Sequence, residues 1–430
     1  MRRAPRGPFR ADFWRSLLRG RWLTSVLGLV LLIGLPIVAI TGLLSNNAYQ
    51  PDLGGNVIGN AVGRLSFDPF AWPTHPSWLY ASTQGLHVAI GLALVPVLLA
   101  KLWSVLPRLF EWPVVRSPAH ALERLSLVLL VGSAIFEFVT GIIDIQLWVP
   151  FGFYFPPAHY YGGLVFIVAF VLHAALKLPT MRKGLRLRRE LSATVPGLER
   201  PGGSEAPRTD RSVASRVDRP LESPNPSPPT FSRRALLGTV AAGSAILLVQ
   251  GAGESIGGVF RSLAFLSPRN RIGSGPNGFP VTHTAAESLL RPSDVDASWR
   301  LEVVGARTIS LSRPQLLAMA QHTYALPIAC VEGWSTTQTW TGVRLRDLAA
   351  LAGITGPATV QNLSAARDGG YFNEATLGHE QVADDASLLA LRVNGVDLSL
   401  DHGYPARVIG PALPGVHCTK WVVTMRFTPA

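Results

Sequence analysis

The chain has 430 residues, 48% of them hydrophobic, a formal charge of +12 and a sequence pI near 10.4. That length leaves room for two or three domains, and its 2 cysteines exclude both a disulfide framework and a thiol zinc site. The basic excess does not indicate nucleic acid as a partner. Arginines gather at the N-terminus (Arg2, Arg3, Arg6, Arg10, Arg15, Arg19, Arg21) and in the middle (182–189 and 200–234), flanking long apolar runs, as membrane-topology signals do.

Four apolar stretches, Trp22 to Leu44, Leu79 to Leu102, Leu125 to Leu147 and Tyr160 to Leu178, are long enough to cross a bilayer, which takes about 20 helical residues. Basic residues at the N-terminus, in 101–124 and in 181–189 put three segments on the inner side. Trp22, Trp78, Trp103 and Trp148 fall near span ends, where an aromatic belt is expected. Residues 1–180 are therefore expected to form an all-α transmembrane four-helix bundle, in contact with membrane lipid.

Pro, Ser, Gly and mixed charge over 181–230 predict a disordered cytoplasmic linker. Next comes Phe231-Ser-Arg-Arg-Ala-Leu-Leu and a modest apolar run, so 231–275 is expected to be an anchor helix and connector. The adjacent arginines are open to two readings: a twin-arginine-like export signal inside the chain, or the inner-face mark of an ordinary fifth span. From 276 to 430 short β-like runs, such as 299–304, 358–363 and 421–427, alternate with turns and with helical patterns at 312–320 and 344–351. This part is expected to be α+β with a mainly antiparallel or mixed sheet. The stretch from Trp340 to Leu348 reads as a turn running into a helix.

Ionisable residues inside spans are functional suspects. His87 lies in the second span; His159 and His173, fourteen positions apart, lie on roughly one face of the fourth. At about 1.5 Å per residue their heights above the inner edge are roughly 21, 27 and 6 Å. His87 and His159 could share a metal centre, whereas His173 lies too low for either. Residues 22–178 resemble the four-helix b-type cytochromes of bacterial membranes, in which two histidines fourteen apart on the last helix serve two haems, one near each face; here the heights lead us to expect one haem b near the outer face, held by His87 and His159, with His173 the weaker candidate. The first span has no histidine, a departure from that pattern. Three packing histidines in a haem-free anchor is the alternative.

Cys330 stands in Cys330-Val-Glu-Gly-Trp-Ser335, after an apolar strand-like run. A lone cysteine is more often a core residue than a ligand, but ordered motifs follow: Trp340-Thr-Gly-Val, Leu388-Leu-Ala, Asn394-Gly, Asp401-His-Gly-Tyr-Pro-Ala-Arg407 and Lys420-Trp421. Together these resemble the molybdenum-pterin domain of the sulfite oxidase family over 279–427, most closely its bacterial periplasmic branch, one member of which reduces methionine sulfoxide. The resemblance implies a molybdenum-molybdopterin cofactor with Cys330 as the protein's thiolate ligand. It implies cofactor contacts from His283, His402, Arg407, Cys418, Thr419 and Lys420. A cofactor loaded before export also favours the twin-arginine reading and an extracytoplasmic C-terminal domain on a multi-pass bacterial membrane protein.

Sulfite-oxidising members carry arginines and a tyrosine near the metal; here those positions hold Thr282, Trp334, Ser335 and Leu391. Losing the cations removes the complementarity that an oxyanion needs. Glu332 and Trp334 point instead to a small-molecule or protein S- or N-oxide, with Glu332 a proton donor or an organiser of the site. The expected function is a two-electron oxygen-atom transferase that exchanges electrons with quinone or another carrier. A sulfite-oxidising dehydrogenase or a non-catalytic anchored binding module are the alternatives.

Overall fold

The computed structural model describes residues 5, 7–10, 13–16, 18–56, 69–148, 150, 152–194, 227, 231–269, 276–370 and 372–430. Most of the expected linker at 181–230 lies outside the described residues.

Five helices are long and apolar enough to cross a membrane: α1 (Arg21–Ala48), α2 (Leu79–Leu109), α3 (Pro118–Ile145), α4 (Phe155–Thr194) and α5 (Arg233–Ile256). The expected linker therefore starts later than 181. Leu, Lys and Arg dominate 182–191, and these straight side chains lose little rotamer freedom in a helix, so α4 continues past its apolar part. Leu122, Val128, Val168 and Val171 point outward and are exposed, as on helices whose surroundings are apolar.

The chain divides into two compact units, 1–37 with 90–140 and 161–248, and 38–89 with 141–160 and 249–430. These units cut across the boundaries at 180 and 276. In the first, Lys101 donates to the Thr24 carbonyl (2.6 Å) and the Arg19 guanidinium lies 4.3 Å from the Trp103 ring. Arg233, the first arginine of the twin pair, donates to the carbonyls of Leu18 and Arg19.

The second unit contains, among the described residues, two five-stranded sheets. One has the order β2 (Thr308–Ser312), β1 (Arg300–Val304), β10 (Val422–Pro429), β5 (Ala358–Ser364), β6 (Glu374–Leu377), with β1 and β10 parallel and the other pairs antiparallel. The other joins β3 (His322–Ala329), β4 (Ser335–Arg344), β7 (Leu388–Val393) and β8 (Val396–Asp397), and β9 (Arg407–Ile409) pairs with β7. The short helices α6 (Arg313–Ala318), α7 (Leu345–Leu351) and α8 (His379–Ala383) complete the mixed α+β fold.

One expectation is corrected here. Trp340 to Arg344 is strand, paired with β3 on one side and β7 on the other, and only Leu345 starts the helix. Trp340 and Val343 are buried in the core, and β7 contributes Leu388 to Leu391 to the same core. This burial outweighs the turn propensity of Thr341-Gly342.

Residues 38–89 are bound into this unit by buried polar contacts. The Asn56 amide donates to the Tyr49, Gln50 and Thr376 carbonyls, Gln50 donates to Gln381 (2.9 Å), and the Trp72 indole donates to the Ala412 carbonyl (2.8 Å).

Trp340 is 0% exposed, so Trp340→Ala should cost about 3–5 kcal/mol through lost burial and an unfilled cavity. A lowered midpoint in thermal unfolding of the detergent-solubilised chain checks this; an unchanged midpoint would place the ring outside the core.

Candidate active site

Cys330 sits in a tight turn between β3 and β4. Its N–H donates to the Trp334 carbonyl (3.0 Å), and Gly333 N–H donates back to the Cys330 carbonyl (3.0 Å). The turn needs glycine at 333, where φ is +96°, a conformation costly for residues with a Cβ.

The turn is held from three sides. Gln84 of α2 donates to the Val331 carbonyl (2.5 Å), and Ser255 of α5 donates to the Gly333 carbonyl (2.8 Å). From the connector after α5, Arg269 grips the Glu332 carboxylate with both arms (3.0 Å each). The Trp334 indole adds a third donor to that carboxylate (3.1 Å). Three donors thus converge on the Glu332 carboxylate and tie it to the turn.

A parallel bridge from Ala329 to Pro414 brings the second half of the site alongside. Gly415 allows this approach, because a Cβ there would lie 2.8 Å from the Ala329 carbonyl oxygen. A cavity of about 460 Å³ results, lined by Cys330, Glu332, Trp334, His283, His402, Arg407, Cys418, Thr419 and Lys420, within the usual size for a cofactor or small-molecule pocket. All nine side chains expected at the molybdenum-pterin site therefore share one cavity. Thr282, also on its wall, points its hydroxyl at Cys330 Sγ (3.8 Å).

Burial, with Glu332 nearby, pushes the Cys330 thiol well up, and burial raises Cys418 too. The basic groups move the other way. Burial lowers Arg407 to about 10, and burial with the Arg407 charge beside it holds Lys420 well below the usual lysine range. A buried arginine thus lies close enough to a half-buried lysine to disfavour the lysine's charge, and cations in such a setting are stabilised by a neighbouring anion. Arg407 donates to the His402 carbonyl (3.3 Å) and Lys420 to the His283 and Asp401 carbonyls (2.6 and 2.7 Å), yet Arg407 Nε and the Thr419 hydroxyl are buried with no hydrogen-bond partner. His402 stacks on Phe279 at 3.7 Å, and its ring meets Ser399, Asn277 and the Pro280 carbonyl. His283 pairs with Asp368 (3.2 Å) and stacks on Phe372.

In the same unit the rings of His87 and His159 lie 6.1 Å apart, and His87 Nδ1 meets the Val38 carbonyl at 2.9 Å. Gly42 makes room for the first ring: a Cβ there would lie 2.9 Å from it. His173 belongs to the other unit. Sequence reasoning missed Arg269, Asn277, Asp144 and Tyr49. The last two line the cavity from outside residues 276–430, and no local pattern marks any of the four. It also missed His417, buried with both ring nitrogens unpartnered and packed edge-on against Tyr49 at 5.7 Å.

The family model described as the oxidoreductase molybdopterin binding domain matches residues 289–430. The uncharacterized oxidoreductase YuiH of Bacillus subtilis is 31% identical over 153 residues, which cover 35% of this chain and 74% of that protein. An NADH nitrate reductase of Volvox carteri is 27% identical over 180 residues, 35% of this chain and 21% of the reductase. Human mitochondrial sulfite oxidase is 28% identical over 192 residues, 38% of this chain and 34% of the oxidase. The chain thus spans about a fifth of that nitrate reductase and about a third of that sulfite oxidase.

Two outcomes test this geometry. Arg269→Met leaves Glu332 buried and unpaired and should cost about 3–5 kcal/mol, most of it recovered when Glu332→Leu is added; a double-mutant cycle by denaturant unfolding measures the coupling. Burial holds His402 and His417 near about 3, against about 6.5 in an unfolded chain. The unfolded state therefore takes up protons first, so stability is complete above about pH 6.5 and declines as pH falls towards about 3. His417→Leu should lessen the acid-side slope by one proton, read from unfolding midpoints between pH 7 and 4; an unchanged slope would mean that His417 titrates normally.

Proposed function

The chain belongs to the molybdopterin-binding oxidoreductases, with a sulfite oxidase-like C-terminal domain, and from this we propose a membrane-bound enzyme that moves an oxygen atom and two electrons, acting as an S- or N-oxide reductase. The observation that carries the reading is the shared cavity, with a thiol at one wall and Arg407 at another, beside Lys420, whose charge it disfavours. The residues fit the cofactor. Cys330 Sγ would be the protein ligand to molybdenum, and Arg407, Lys420 and Thr419 would take the pterin phosphate, using the Arg407 Nε and Thr419 hydroxyl that otherwise lack partners. His402, His283 and Cys418 would line the pterin. When bound, the cofactor supplies the two-electron redox couple and the acceptor for the oxygen atom.

The remaining chemistry belongs to the chain. A buried thiol keeps its proton until a cation stands beside it, and the Thr282 hydroxyl is positioned to donate to the thiolate that results. Glu332, neutralised by Arg269, fixes the turn so that the sulfur keeps one position. Ile328, Val331 and Phe372 exclude water from the cavity wall.

His87 and His159 would hold a haem b, which would supply one-electron transfer when bound; the closeness of their rings, 6.1 Å between centres, supports this pairing. The Val38 carbonyl fixes His87 Nδ1 as the donor and leaves Nε2 for the metal. Quinone or another one-electron carrier in the membrane would exchange electrons there, with the C-terminal domain on the extracytoplasmic side and the Ser232-Arg-Arg segment as a retained twin-arginine anchor.

Purified enzyme should hold about one molybdenum per chain. Cys330→Ser should lose the metal and lower turnover of a sulfoxide with a reduced dye by at least about a hundredfold. Full metal content in the variant would remove Cys330 from the ligand role. His87→Ala should abolish the haem band in a reduced-minus-oxidised spectrum while leaving molybdenum bound; its persistence would sink the haem assignment.

A further inference from the structure

The cavity has two chemically different walls. Arg407 and Lys420 make one basic. The other is aromatic and comes largely from outside the C-terminal domain: Tyr49 after α1, Phe153, Tyr154 and Phe155 around the start of α4, and Trp334 from the Cys330 turn. Asp144, in the last turn of α3, lines the same cavity. Among the described residues its carboxylate has no hydrogen-bond or ion-pair partner. Glu332, the other carboxylate here, is already neutralised by Arg269. The cavity next to Cys330 therefore offers one carboxyl group without a salt-bridge partner, among aromatic side chains.

Aromatic faces and a carboxylate together attract a cationic centre, and above all a quaternary nitrogen. When ionised beside such a cation, the same carboxyl disfavours sulfite, nitrate and other oxyanions. We propose that Asp144 and this aromatic wall form a specificity site for a cationic centre, and that the physiological oxygen donor is an amine N-oxide, whose nitrogen carries a full formal positive charge. The proposal rests on the reading of the cavity as an oxygen-transfer site. The overall change is R₃N⁺–O⁻ + 2H⁺ + 2e⁻ → R₃N + H₂O. The N–O bond breaks, nitrogen keeps the electron pair, oxygen leaves as water, and a reduced viologen dye is oxidised to supply the two electrons. Asp144 is a specificity residue in this scheme, pairing with the ammonium centre while the oxygen faces Cys330.

Molybdenum-loaded full chain in detergent tests this with tetramethylammonium, a cation that cannot be reduced, and with trimethylamine N-oxide against dimethyl sulfoxide. Tetramethylammonium should bind by calorimetry and inhibit competitively. Asp144→Asn should weaken it about tenfold and lower the N-oxide to sulfoxide ratio of kcat/KM by a similar factor, with Asp144→Glu restoring most of both. Equal tetramethylammonium affinity in wild type and Asp144→Asn overturns the cation site. Reduction of the sulfoxide but not the N-oxide by wild type overturns this proposal while the oxygen-transfer reading stands. If neither oxide is turned over, the oxygen-transfer reading fails, and the calorimetry alone decides whether the cation site exists.

Discussion

Arg269 reaches from the connector behind α5 into the turn after β3 and closes both arms on Glu332. The pair is nearly sealed from solvent. A buried charge pair of this kind contributes little net stability, but losing one partner strands the other in a low-dielectric interior. Its effect here is positional: the turn that carries Cys330 cannot shift without breaking it. Gln84 and Ser255 add neutral bonds to the neighbouring carbonyls, so a short and otherwise adaptable loop is held to segments far away in the chain.

Around that fixed turn the molecule accumulates buried polar groups that it does not itself satisfy. Among the described residues Arg407 Nε, the Thr419 hydroxyl and both nitrogens of His417 have no hydrogen-bond partner, and the Arg407 charge disfavours that of Lys420. Unpaired buried groups are costly, and a folded chain that keeps several in one region is built around something that pairs with them. The proposed anionic cofactor would meet that need at the basic wall, and the proposed cationic centre would sit at the aromatic wall with Asp144; Cys330 lines the same cavity.

Local signals in the chain were reliable wherever the physics is local. Hydropathy over about 20 residues marks α1 to α5, and the runs at 299–304, 358–363 and 421–427 are strands close to their expected limits. The motif residues around Cys330, His402 and Lys420 do line one cavity. Trp340 to Arg344 is strand and not the expected turn, because pairing with neighbouring strands and a fully buried Trp340 decide the matter. The heights expected for His87 and His159 differ by only about four residues of rise, in keeping with the closeness of their rings.

What no local pattern could supply is the identity of groups brought to the site from elsewhere. Arg269 is one arginine among many in a basic chain, Asp144 one acid at a helix end, and Tyr49 one aromatic beside a span. Their importance arises only when segments separated by hundreds of residues meet. Sequence by itself determined the helices, most of the strands and the thiol-centred motif, because periodicity, chain stiffness and residue chemistry act over a few positions. Tertiary structure alone decided which charges are neutralised and which face the cavity bare, because electrostatic energy depends on distance and burial in space, and neither follows from order along the chain.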